Sequence, residues 1–126
     1  MKTTEMVLEF LRKEGFCPDV DQDNGNIVFK FQMTTFIFVN NDADEDFFQL
    51  CMPNIYDVTD DNREMVFEAM NKVNYTLKVM KAAIIHDSVC LFFENLLDQT
   101  PDVTTIIPRA LAILQGGRQV CYQEME

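Results

Sequence analysis

The chain opens on a helical period. Between Thr4 and Glu14 the apolar residues Met6, Val7, Phe10 and Leu11 recur at i, i+1, i+4 and i+5, a single stripe of a helix. Gly15 supplies the stop, and Leu8 falls off the stripe. From Phe16 the period becomes two. A first strand over residues 16–21 carries Pro18, which marks an edge, and a second covers residues 26–32. A third covers residues 35–40 ("TFIFVN"). A fourth covers residues 46–52 ("DFFQLCM") and is expected to stop at Pro53. Helical spacing returns over residues 61–74, where Met65, Val66, Ala69, Met70 and Val73 share a stripe that leaves out Phe67. A hairpin of residues 77–85 and 88–96, turning at His86-Asp87, comes next. The last helix starts at the cap Asp102. Val103, Ile107, Ala110, Leu114, Gly117 and Cys121 are spaced 4, 3, 4, 3, 4, so it continues through Gly116-Gly117 to about Tyr122. Short polar connections between successive strands make them antiparallel neighbours. The expected fold is α+β, an antiparallel sheet of five or six strands with three helices, in the order α-ββββ-α-ββ-α. At 126 residues one domain, 1–126, accounts for the chain.

The same alternation carries the main functional expectation. A sheet face turned to water should be polar, yet both faces look apolar here. Ile37 and Val39 lie opposite the Phe36/Phe38 face, Phe47 and Cys51 opposite Phe48 and Leu50, Met80 and Ile84 opposite Leu77 and Val79, and Phe92 opposite Leu91. Two helices on one side leave the other uncovered, so the third helix, a second subunit or a client must cover it. The residues expected to make contact are Leu8, Ile37, Val39, Phe47, Phe67, Met80 and Phe92. Eight methionines suit adaptable packing against a partner as well as against a core.

Charge narrows the partners. The net charge is -11, with 13 acids against 4 bases in residues 1–62. Such a surface repels phosphate, which argues against nucleic acid and anionic membranes and leaves a protein partner or a second copy in a homodimer. The charge-interrupted N-terminus lacks the apolar core of a signal peptide, so a cytoplasmic location is expected.

Candidate chemistry fails on geometry. "DVDQDNGNIVFK" has the alternate aspartates of a calcium loop, but Gly25 comes one place late and position 12 is Lys30. It reads instead as a hairpin, with Asn24-Gly25 in a type I′ turn. "DADED" at residues 42–46 is a loop tip. The four cysteines are 34, 39 and 31 residues apart, with one histidine in the chain, which is no zinc pattern. His86 and Cys90, four strand residues apart, would sit ~13 Å from one another, too far for a nucleophile–base pair. No catalytic, metal or cofactor site is expected, and an enzyme is not. A second reading is a small-molecule or peptide binder, with a pocket between the last helix and the sheet opened at Pro108.

The opening helix "TEMVLEFLRKEGF", the meander "GNIVFKFQMTTFIFVNND", the helix "REMVFEAMNKVNYTLKV", the hairpin "KVMKAAIIHDSVCLFFEN" and the closing helix together resemble the YbjN-like and type III secretion chaperone-like families. The resemblance implies a small, acidic, often dimeric, non-enzymatic protein. Chaperone-like relatives hold a partly unfolded client against apolar patches and the sheet. No family motif transfers to single positions. Pro108 and Gly116-Gly117 depart from the straight closing helix of that pattern.

Overall fold

A computed structural model describes residues 2–126. The elements are α1 (Thr3–Lys13), β1 (Asp19–Val20), β2 (Ile27–Phe31), β3 (Thr34–Phe38), β4 (Phe47–Asp57), α2 (Arg63–Thr76), β5 (Met80–Ile85), β6 (Ser88–Leu96) and α3 (Val103–Glu124). The order α-ββββ-α-ββ-α is the one the periodicity predicts. The six strands form one antiparallel sheet in the order β1-β2-β3-β4-β6-β5.

Local chemistry sets most boundaries. Asp102 caps α3 by accepting the Thr104 N–H at 3.1 Å. Gly15, at φ +82, closes α1 while the Phe16 N–H returns to the Leu11 carbonyl at 3.0 Å. The β5–β6 hairpin turns at His86-Asp87, both left-handed (φ 50 and 59), the geometry of a two-residue turn that matches strand twist.

Three expectations are corrected. The β1–β2 hairpin exists, but its turn is wider than type I′. The Gly25 N–H reaches the Asp21 carbonyl at 2.8 Å, the Asp21 carboxylate accepts the Asp23 N–H at 2.8 Å, and only Gly25 is left-handed. A Cβ on Gly25 would lie 2.7 Å from the Asn40 side chain, which also fixes glycine there. Strand β4 does not stop at Pro53. It bulges between Met52 and Tyr56, with Asn54 left-handed, and pairing with β6 resumes at Tyr56. The missing proline N–H falls where no ladder bond is needed. Strand β5 begins at Met80, not Leu77, because Val79 is left-handed (φ 56) and breaks the extended run.

The third helix does not roof the second face. Val7 and Leu11 of α1, Val66, Ala69 and Val73 of α2, and Ile107, Ala110 and Leu114 of α3 join one core with Ile27, Phe36, Phe38, Phe48, Leu50 and Leu91. That core lies on one side of the sheet. The α3 register continues unbroken through Gly116 and Gly117, both helical. A Cβ on Gly117 would collide with the Met80 sulfur, so glycine there lets the buried Met80 side chain lie against α3. A second, separate cluster holds Cys51, Cys90 and Phe92 with Ile37 and Ala83 packed against it, on the other side of the sheet.

Candidate interaction surface

Strand pairing builds this open face. Asp19 pairs with Val28, Val28 with Ile37, Ile37 with Cys51, Cys51 with Phe92, and Phe92 with Lys81. One row therefore crosses all six strands, with an acid at one edge, a base at the other and four less polar side chains between. Paired residues of antiparallel strands project to the same side, so the row is a surface stripe. Phe92 and Cys51 are only 8% and 6% exposed although no helix lies over them.

Their shelter is a polar clip. The Lys81 ammonium stands 6.0 Å from the centre of the Phe92 ring, within cation–π range. It is held there by Glu94 at 3.0 Å, and the Gln49 amide donates to the other Glu94 oxygen at 2.7 Å. A half-exposed ion pair contributes little to stability. Here it lays the aliphatic stem of Lys81 against apolar surface that water would otherwise reach. Cys51 and Cys90 are neighbours in this buried cluster, and the Cys90 thiol donates to the Ser88 carbonyl at 3.9 Å. Burial first, and then Cys90, pushes the Cys51 thiol up to about 12. Both are reduced, as are exposed Cys17 and buried Cys121.

The seven expected contact residues do not all gather. Ile37 and Phe92 lie in the row, and Val39 and Phe47 continue the same alternation toward the end of the sheet, where Phe47 pairs with Leu96. Leu8 packs against the main core from α1. Phe67 is 53% exposed on α2, on the helical side of the molecule. Met80 is the clear displacement. It is buried under α3 beside Gly117, because the break at Val79 sets the β5 face that the helices cover. Cys51, Cys90 and Ala83 are absent from the expected set, although the alternation that puts Phe92 on this face also puts Cys90 there. The clip of Lys81, Glu94 and Gln49 had no linear signal, since its members meet across strands.

A second feature lies on the helical side. A cleft of about 320 Å³ opens between α1, α3 and the start of the meander, walled by Phe10, Phe16, Phe31, Pro108 and Leu111. Among the described residues no group of three or more metal-ligating side chains converges, and no helix is long and apolar enough to cross a membrane.

Comparison with known proteins places this geometry. Residues 3–104 match the family model YbjN, described as "Putative bacterial sensory transduction regulator". The match spans well over half of the chain, which belongs to this family. No curated protein matches it. Among solved structures, an uncharacterized protein from Methanothermobacter thermautotrophicus is similar at a TM-score of 0.62 and 16% identity, over 96% of this chain and 95% of that one. YbjN from E. coli is similar at a TM-score of 0.68 and 8% identity, over 98% and 93%. The Yersinia pestis type III secretion chaperone SycH, solved in complex with a stable fragment of YscM2, is similar at a TM-score of 0.52 and 12% identity, over 87% and 98%. At these identities the likeness is one of fold.

Proposed function

We propose that this YbjN-family chain is a non-enzymatic, single-domain, cytoplasmic protein-interaction module that offers its open sheet face to a client or regulatory protein. The observation that carries the reading is that all three helices pack on one side, leaving a continuous apolar row on the other. The family's description as a regulator supports it, as does SycH, a fold relative solved with a bound protein fragment. Ile37, Val39, Phe47 and Phe92 make the contact, while Leu8, Phe67 and Met80 lie outside this face.

A second copy is one protein that fits. In a chain of net charge -11, the charged residues on and beside the central row are Asp19, Asp21, Glu94, Lys30 and Lys81, three acids against two bases, so the row is far closer to neutral than the chain. Two copies face to face, related by a two-fold axis along the strands, set Asp19 against Lys81, Val28 against Phe92 and Ile37 against Cys51. Like charges are kept apart and the interface is self-complementary. Client and second copy then compete for one face.

The test combines light scattering and partner capture, with wild type and Ile37→Lys compared at matched thermal stability. Assembly above 14.6 kDa, or a captured protein, that Ile37→Lys abolishes supports the reading. Monomers at every concentration together with equal capture by both chains defeat it. The cleft at Pro108 favours a second reading, a binder of small molecules, whose screen is ligand-induced thermal stabilisation.

A further inference from the structure

We propose that the cleft between α1, α3 and the Phe16/Phe31 floor is a site for a small organic cation, an ammonium carried on an apolar body. The inference rests on the second reading above and adds the chemistry of the ligand.

The walls come from three parts of the chain. Thr104, Pro108, Leu111, Ala112 and Gln115 form one stripe of α3, Phe10 and Glu14 one stripe of α1, and Phe16 and Phe31 close the bottom. The rings of Phe16 and Phe31 are 5.6 Å apart and inclined at 78°. This edge-to-face pair forms an aromatic floor, and a cation is attracted to whatever ring face the pair leaves open. The cleft volume, about 320 Å³, suits a single ring with a short chain.

The polar groups decide the sign of the charge. Thr104 spends both its donors on the cap, since its N–H and its hydroxyl both go to Asp102. The Gln115 amide nitrogen gives one of its two N–H groups to Gln32 at 3.0 Å and keeps one neutral donor. The other polar groups of the lining accept. Pro108 has no N–H to give to the Thr104 carbonyl, the partner that residue i−4 ordinarily finds in a helix. Glu14 is the one charged residue of the lining, and it stands at the C-terminal end of α1, where the helix dipole is also negative. An anion would find no free charged donor here. A ligand with an apolar body and a donor head satisfies both halves of the cleft.

The experiment titrates the full chain with 2-phenylethylammonium, monitored by backbone NMR. Two controls share the ring and chain length: 3-phenylpropanoate, an anion, and 2-phenylethanol, neutral. The ammonium is expected to bind with shifts confined to α1, α3 and residues 16–31. Glu14→Gln should weaken it roughly tenfold, the size of one charge-assisted contact. Ala112→Trp, filling the cleft from an exposed helix position, should abolish binding, and Ala112→Leu serves if the larger variant unfolds. Alcohol and ammonium binding equally, with Glu14→Gln silent, overturns the cationic assignment and leaves the cleft reading standing. Silence of all three probes, or ammonium binding unaffected by a folded Ala112 variant, overturns both.

Discussion

Beneath the helices the sheet presents Phe29, Phe36, Phe38, Phe48, Leu50 and Phe93; on its other side it presents Val28, Ile37, Cys51, Phe92, Cys90 and Ala83. Both sets are apolar, but they differ in size and in what closes over them. The covered side carries rings packed on rings, Phe38 tilted against Phe48 at 5.2 Å and Phe48 edge-to-face with Phe93 at 5.8 Å. The open side carries thiols, aliphatic groups and the ring of Phe92 fastened under a lysine, with Phe47 toward the end of the sheet. The rings of the covered side are dry beneath helices. On the open side, strand neighbours and one long polar side chain keep Phe92 and the thiols nearly dry without one. The covered face builds the fold, and the open one is available for contact.

The greatest expected effect tests that division directly. Phe48→Ala should destabilise by about 3–5 kcal/mol, since Phe48 is fully buried and its removal leaves a cavity. Phe92→Ala should cost less, about 1–3 kcal/mol, because part of the cover over that ring is a half-exposed lysine rather than core. Denaturant unfolding of both variants measures the gap, and equal losses would erase the distinction between the faces. Next in size is the glycine pair of α3. Gly117→Ala should cost about 1–3 kcal/mol by driving a methyl into Met80, whereas Gly116→Ala, with open space around it, should stabilise by ~0.5–1 kcal/mol. Opposite signs at adjacent residues would confirm that one side of α3 is pressed on the sheet.

A smaller effect on stability is expected at the open row. Ile37→Lys should change unfolding by roughly 1 kcal/mol or less while removing assembly or partner binding, as thermal scans and light scattering would show. The smallest expected effect is one of pH. Cys51 is pushed up to about 12 and Cys121 to about 11, both chiefly by burial. The unfolded chain ionises these thiols first, near 9, so their contribution is fully present below that pH and is lost as pH rises through 11 and 12. Cys51→Ala and Cys121→Ala should each flatten the fall of the melting temperature above pH 9 relative to wild type. Iodoacetamide at pH 8 should label exposed Cys17 well before either.

The fold was legible where one residue decides one element. Asp102 announces a helix start, His86-Asp87 a hairpin, and the 4-3-4-3-4 spacing a helix running through two glycines. Misreadings fell where a backbone conformation overrides the residue type. Val79 and Asn54 are left-handed, a state that costs β-branched residues most. Nothing in "LKVMK" or "MPNIY" reveals it. At Asn54 two extra residues bulge out and the sides of β4 are kept, whereas the break at Val79 changes the parity, which is why Met80 lies in the core instead of on the expected surface. The candidate site was half legible: alternation marked Ile37 and Phe92, but the partners that meet across strands could not be read along the chain.

By itself the sequence determined the elements, their order and the presence of apolar residues on both sides of the strands, because periodicity and capping are local properties of neighbouring residues. Only the tertiary structure decided that the three helices share one side, that Lys81, Glu94 and Gln49 close over Phe92, and that Pro108 and Glu14 meet across a cleft. These depend on which distant segments come together, and that is set by the packing of the whole core rather than by any one stretch of chain.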